Sequence, residues 1–117
     1  MLKLINYLLL TLLLCCTTIA SLPEEPKPPL IKTLNSLAKY ETQLSEYVMY
    51  LVTFLAKTKV KVNDPNYPEY PYPDLSTLKD EHSMTSIKYN VNIFLKYIKE
   101  AKPIAKKVYN KYSQLKM

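Results

Sequence analysis

Two long stretches of this chain repeat apolar residues at helical spacing. In the first, Leu30, Leu34, Leu37, Leu44, Val48, Leu51 and Leu55 follow one another at intervals of 4, 3, 7, 4, 3 and 4. Intervals of 3 and 4 keep side chains on one stripe of an α-helix, and their alternation is the seam of helices packed side by side. The interval of 7 spans Glu41, an acid at a position where the seam requires an apolar residue. Tyr40, Tyr47 and Phe54 flank one side of the stripe, Ala38 and Val52 the other. The apolar face is therefore wider than a two-helix seam needs. After it, "TKVKV" (58–62) alternates β-branched residues, which predicts fraying near Lys57 and a helix over about 30–58.

The second stretch is more regular. Met84, Ile87, Val91, Phe94, Ile98, Ala101, Ala105, Val108, Tyr112 and Leu115 advance by 3 and 4 without a miss. Asp74 or Thr77 could cap its start, giving a helix over about 75–102. Pro103 falls inside the pattern. A proline in a helix interior costs ~3 kcal/mol, so a break is expected at Lys102–Pro103, with a separate helix over about 103–116.

Between the two lies "NYPEYPYPD" (66–74), with three Tyr-Pro pairs inside a loop expected over 63–74. Each proline biases the residue before it towards extended geometry, and together the prolines stop both helices without any glycine. The plainest reading is a stiff spacer. A second reading makes Tyr67, Tyr70 and Tyr72 an interaction loop. A third folds these tyrosines back over the end of the bundle. In a simple antiparallel hairpin centred near Pro68, Leu55 meets Lys79 and Leu30 meets Ile104. The apolar residues beyond Ile104 then have no partner on the first helix. They must form a third helix, meet another chain, or bind a ligand or membrane. The expected fold is all-α: a long antiparallel helical hairpin plus a C-terminal helix after Pro103, as a small three-helix bundle or a homodimer.

The ends change the picture. Lys3, the apolar run "LLLTLLLCC" (8–16) and the small residues of "TIA" (18–20) read as a signal peptide over 1–20, cleaved after Ala20. A spanning helix needs about 20 apolar residues, and Asn6, Tyr7, Thr11, Thr17 and Thr18 interrupt this one. "LLLC" is a poor lipoprotein signal, because a large leucine precedes Cys15. Cleavage after Ala20 removes Cys15 and Cys16, the only cysteines, and leaves a secreted, extracellular chain without disulfides. Residues 21–29, "SLPEEPKPP", form an extended proline-rich arm, and 30–117 form the helical domain.

Composition narrows function more than it defines it. The chain has 117 residues, a net charge of +6 and no Gly. All sixteen basic residues are lysine. Gly-rich phosphate loops are excluded, as are bidentate arginine contacts to phosphate or guanine. His82 is the only histidine. It neighbours Asp80, Glu81 and Ser83, but consecutive helical residues point around the axis and do not converge. No enzyme, metal site or cofactor is expected. Glu41 is a candidate register residue, a buried charge that tolerates only an alignment pairing it with lysine. From Lys96 to Met117 there are seven lysines and one glutamate. Lys99, Lys106, Lys107 and Lys111 are candidates for binding an anionic membrane surface or a glycosaminoglycan; nucleic acid is not expected for an exported chain. The leading function is that of a small secreted, non-enzymatic helical binding or effector protein, with a protein partner or self-association. The alternatives are an exchangeable carrier of lipid or another hydrophobic ligand, or a cationic membrane- or glycosaminoglycan-binding factor.

Overall fold

The computed structural model describes residues 22–113; the expected signal peptide and the last residues of the expected C-terminal helix lie outside them. Two helices of 29 residues each make up the described secondary structure: α1 (Leu34–Val62) and α2 (Met84–Tyr112). Among the described residues there is no strand.

Local chemistry sets their bounds. α1 begins at Leu34, not Leu30, because Thr33 and Ser36 form a capping box. The Ser36 N–H donates to Thr33 Oγ1 at 3.1 Å, and the Thr33 N–H donates to Ser36 Oγ at 2.8 Å. Leu30 therefore leaves the seam and is fully exposed. The β-branched run does not fray. α1 continues through it, since Thr58 is buried against the core and packing overrides weak propensity. The helix ends at Asn63, in the left-handed conformation at φ 46°, the usual task of glycine done here by asparagine. α2 begins at Met84 because Ser83 caps it, its Oγ accepting the Ser86 N–H at 3.2 Å. Asp74 instead closes a turn within the connection, accepting from the N–H and Oγ of Ser76.

The two helices run parallel, not as an antiparallel hairpin. Asn90 Nδ2 donates to Glu41 Oε2 at 2.8 Å near the start of both helices. The Tyr112 hydroxyl donates to Asp64 Oδ2 at 2.8 Å where both end. Glu41 to Asp64 is 23 residues and Asn90 to Tyr112 is 22, so the helices advance together. The reason lies in the connection, residues 63–83. A 29-residue helix is about 43 Å long, whereas 21 residues in extended, proline-rich geometry reach about 60 Å. The connection is long enough to return along the whole helix pair. It passes Tyr112 at Tyr67, where the rings are 5.7 Å apart, and reaches Asn90 at Lys79.

Parallel packing removes the need for a third helix. Ala105, Val108 and Tyr112 lie alongside the last turns of α1 and are buried in the core with Leu44, Val48, Leu51 and Leu55. α2 runs unbroken through Pro103. Pro103 is exposed, so the missing N–H falls on the solvent side of the helix, where water can serve the freed carbonyl. The wide apolar faces are covered by extended segments. On one side lies the arm, with Leu22 packed on the core and Glu25 3.1 Å from Lys102. On the other lies the connection, with Tyr67, Tyr70 and Leu78 packed on the core. At 100° per residue, Val91, Leu95 and Lys102 beside the arm and Asn90, Ile93 and Tyr97 beside the connection fall on opposite sides of the α1-facing stripe of α2.

Candidate functional site

The Tyr-Pro run is a strap that begins at the end of the helix pair, where Tyr67 packs on Tyr112, and continues along its side. The Tyr67 hydroxyl donates to the Leu55 carbonyl at 2.7 Å, a carbonyl already inside α1. Tyr70 packs edge-on against Tyr67 with ring centroids 6.1 Å apart, and tilted against Tyr72 at 5.3 Å. The Tyr70 and Tyr72 hydroxyls are 3.3 Å apart. Tyr67 and Tyr70 are half-buried, whereas Tyr72 is 70% exposed. The loop tyrosines named from sequence thus divide into two that hold the strap and one that faces solvent.

Tyr97 of α2 lies beneath this run, beside the apolar stripe of that helix. Its hydroxyl is buried without a hydrogen-bond partner among the described residues. Beside it a groove of about 340 Å³ opens between connection and α2, lined by Tyr72, Thr77, Ile93, Lys96, Tyr97 and Glu100. Burial pushes the Tyr97 hydroxyl up to about 12, with Tyr72 adding to the shift. Burial does the same for Tyr67, reinforced by Tyr70 and Tyr112. Tyr70 also rises to about 12, first through its bond with Tyr72 and then through burial. These phenols stay neutral at physiological pH; those of Tyr67 and Tyr70 serve as hydrogen-bonding groups.

Glu41 meets an amide, not a lysine. Asn90 is buried, and besides donating to Glu41 its Nδ2 donates to the Lys79 carbonyl at 2.9 Å, while its Oδ1 accepts the Lys79 N–H at 2.8 Å. Asn90 thereby pins the end of the connection onto both helices. In the sequence it is a polar residue beside the seam, with nothing to mark it. His82 is exposed, and the neighbouring Ser83 Oγ is engaged in the helix cap.

The four candidate lysines do not form one row. Lys99 and Lys106, seven residues apart, share one edge of the outer face of α2, and Lys107 and Lys111, four apart, share another about 100° away. All four are exposed. Lys111 lies 3.7 Å from Asp64 Oδ2. The Asp64 carboxyl is held below its ordinary range, first by the Asn66 N–H, then by the Tyr112 hydroxyl, with Lys111 adding to it. No described helix is long and apolar enough to cross a membrane, and no three His, Cys, Asp or Glu side chains come together among the described residues.

Fold and site together define a small parallel helix pair clasped by two proline-rich extended segments, with a tyrosine-lined strap and a lysine-rich outer face. Residues 21–114 match the profile of the Borrelia orf-D family, and the chain belongs to that family. It is also 52% identical over 99 residues to the outer membrane lipoprotein BBA14 of Borreliella burgdorferi, an alignment covering 85% of this chain and 82% of that protein.

Proposed function

We propose that this chain is an exported, lipid-anchored surface protein that acts by binding and carries out no chemistry of its own. The observation that carries the reading is its 52% identity to an outer membrane lipoprotein, taken with an apolar run that ends in Cys15-Cys16. Cutting after Ala20 would discard both cysteines. Cutting before Cys16 also satisfies the demand for a small residue at the cut, because Cys15 precedes it, with Leu13 and Leu14 before that. Cys16 then carries the lipid. A free secreted chain gives way to a tethered one, whose proline-rich arm keeps the folded part close to its anchor. One acyl chain holds a protein only marginally, whereas two hold it stably.

The binding role is supported by the same geometry. Ser83 is occupied as a cap, His82 stands in solvent and the buried tyrosines are held neutral. The carrier reading has less support, since Leu44, Leu55, Ala101 and Ala105 have no exposed surface and fill the space between the helices. Leu30 and Ile31, 102% and 75% exposed in the turn before α1, are available to a protein partner or to a second copy. Intact mass measurement of the chain from the membrane fraction tests the anchor. A mass beginning at Cys16 plus acyl chains is expected, and Cys16→Ser should move the protein out of that fraction. A mature chain beginning at Ser21 and free in the medium would overturn the reading.

A further inference from the structure

We propose that the end of the molecule where both helices finish rests on the anionic lipid headgroups of the membrane that holds the anchor, so that the opposite tip, with Leu30 and Ile31, points away from it. This rests on the anchored reading above.

The direction of the arm is the first observation. Pro28 and Pro29 lie by Leu37, Tyr40 and Val91, early in both helices, while Glu25 pairs with Lys102 well along α2 and Pro23 lies by Tyr50. Traced back towards the anchor, the arm climbs towards the C-terminal ends of the helices. From Lys102 the end of α2 at Tyr112 is about 15 Å away, and its start at Met84 about 27 Å in the other direction. Six Cα-to-Cα steps separate Cys16 from Leu22 and span at most about 22 Å. Pro23, by Tyr50, lies roughly level with the Glu25–Lys102 pair, so a lipid on Cys16 reaches the C-terminal end more readily than the other.

Charge is the second observation, independent of the first. Lys57, Lys59 and Lys61 ring the end of α1, and Lys106, Lys107 and Lys111 ring the end of α2; all six are exposed. Against them stand Asp64, engaged by Tyr112 and Lys111, and Glu69. Around the opposite tip, Lys32, Lys39, Lys79 and Lys88 nearly balance Glu41, Asp80 and Glu81. Parallel packing brings the negative ends of two helix dipoles together, and lysines in the last turns complement them. That effect fades within one turn, and Lys57, Lys106 and Lys107 lie outside it. Lysines that ring an end, and do not line a groove, suit a broad anionic surface better than an acidic peptide. Val60, 80% exposed among them, can settle between headgroups. The anchor keeps the lysines at high effective concentration near that surface.

Lysine acylation of the full lipidated chain, read by peptide mass spectrometry, tests this on vesicles of phosphatidylglycerol with phosphatidylcholine and on phosphatidylcholine alone. On anionic vesicles Lys57, Lys59, Lys61, Lys106, Lys107 and Lys111 should react roughly fivefold more slowly, the preference one lysine gains near such a surface, while Lys32, Lys39 and Lys79 react unchanged. The protection should vanish in about 0.5 M salt. With Lys57→Gln, Lys61→Gln, Lys106→Gln and Lys107→Gln combined, the chain should stay anchored while Lys59 and Lys111 lose their protection. Equal reactivity on both vesicles, or protection of Lys32 beside the Leu30–Ile31 tip, would overturn the proposal. If intact mass shows no lipid, the anchored reading fails by itself. Salt-sensitive sedimentation of the unlipidated chain with the anionic vesicles would still support the headgroup surface, and its absence would overturn it.

Discussion

Asn90 joins three parts of the chain that are far apart in sequence, and its role is decided by how many partners it keeps. It bonds the backbone of Lys79 twice and the side chain of Glu41 once. Removing a buried partner strands the groups it satisfied, at about 1–3 kcal/mol. Asn90→Ala should therefore lower stability by about 2–3 kcal/mol in urea unfolding, whereas Glu41→Leu should cost about 1 kcal/mol or less, because Asn90 retains its two bonds to Lys79. A larger loss for Glu41→Leu would make Glu41 the organising residue. Tyr97 is the converse case, a hydroxyl buried without a partner. Tyr97→Phe should be neutral or stabilising. Tyr67, Tyr70 and Tyr97 rise in the folded state to about 12 from an ordinary 10.0. Their stabilising contribution is complete below pH 10 and is lost as pH climbs towards 12, because the unfolded chain releases those protons first. Stability should fall across that window, and Tyr97→Phe should make the fall shallower. A profile unchanged by that substitution would show that Tyr97 titrates normally.

At the scale of elements, direction is the property that matters. The 3-and-4 spacing of apolar residues marks a face but reads the same for a helix pointing up or down, so pattern matching alone leaves both directions open. The connection resolves it, since its four prolines hold it extended and its length matches a return along the helices. Carbodiimide cross-linking of native residues tests the arrangement. Lys111 should join Asp64, 3.7 Å away, and Lys102 should join Glu25, 3.1 Å away. In an antiparallel hairpin Asp64 would stand near the start of α2, and a cross-link from Asp64 to Lys79 or Lys88 with none to Lys111 would refute the parallel pair. Pro103 illustrates the same dependence on surroundings. The usual cost of proline assumes that a buried carbonyl is orphaned, and on the exposed face water removes part of it.

At the scale of the whole molecule, a chain without glycine builds its third layer from extended segments. Arm and connection each cover one side of the helix pair, so tyrosines and prolines that would otherwise be linker become part of the packing. The arrangement gives the molecule two unlike ends, one ringed by lysines, the other carrying exposed Leu30 and Ile31.

Apolar periodicity by itself determined that there are two long amphipathic helices, which face of each is buried, and that proline-rich segments flank them, because these are properties of spacing and of single residues. Where the helices start was decided by Ser36 and Ser83 finding N–H partners in folded geometry. Whether Pro103 breaks α2 was decided by which side of the helix meets solvent. Only the tertiary structure decided that the helices run parallel, that Asn90 and not a lysine meets Glu41, and that Tyr67 belongs to the packing of the end of α2. Each depends on contacts between residues 11 to 49 positions apart, and a local pattern carries no information about which distant surfaces will meet.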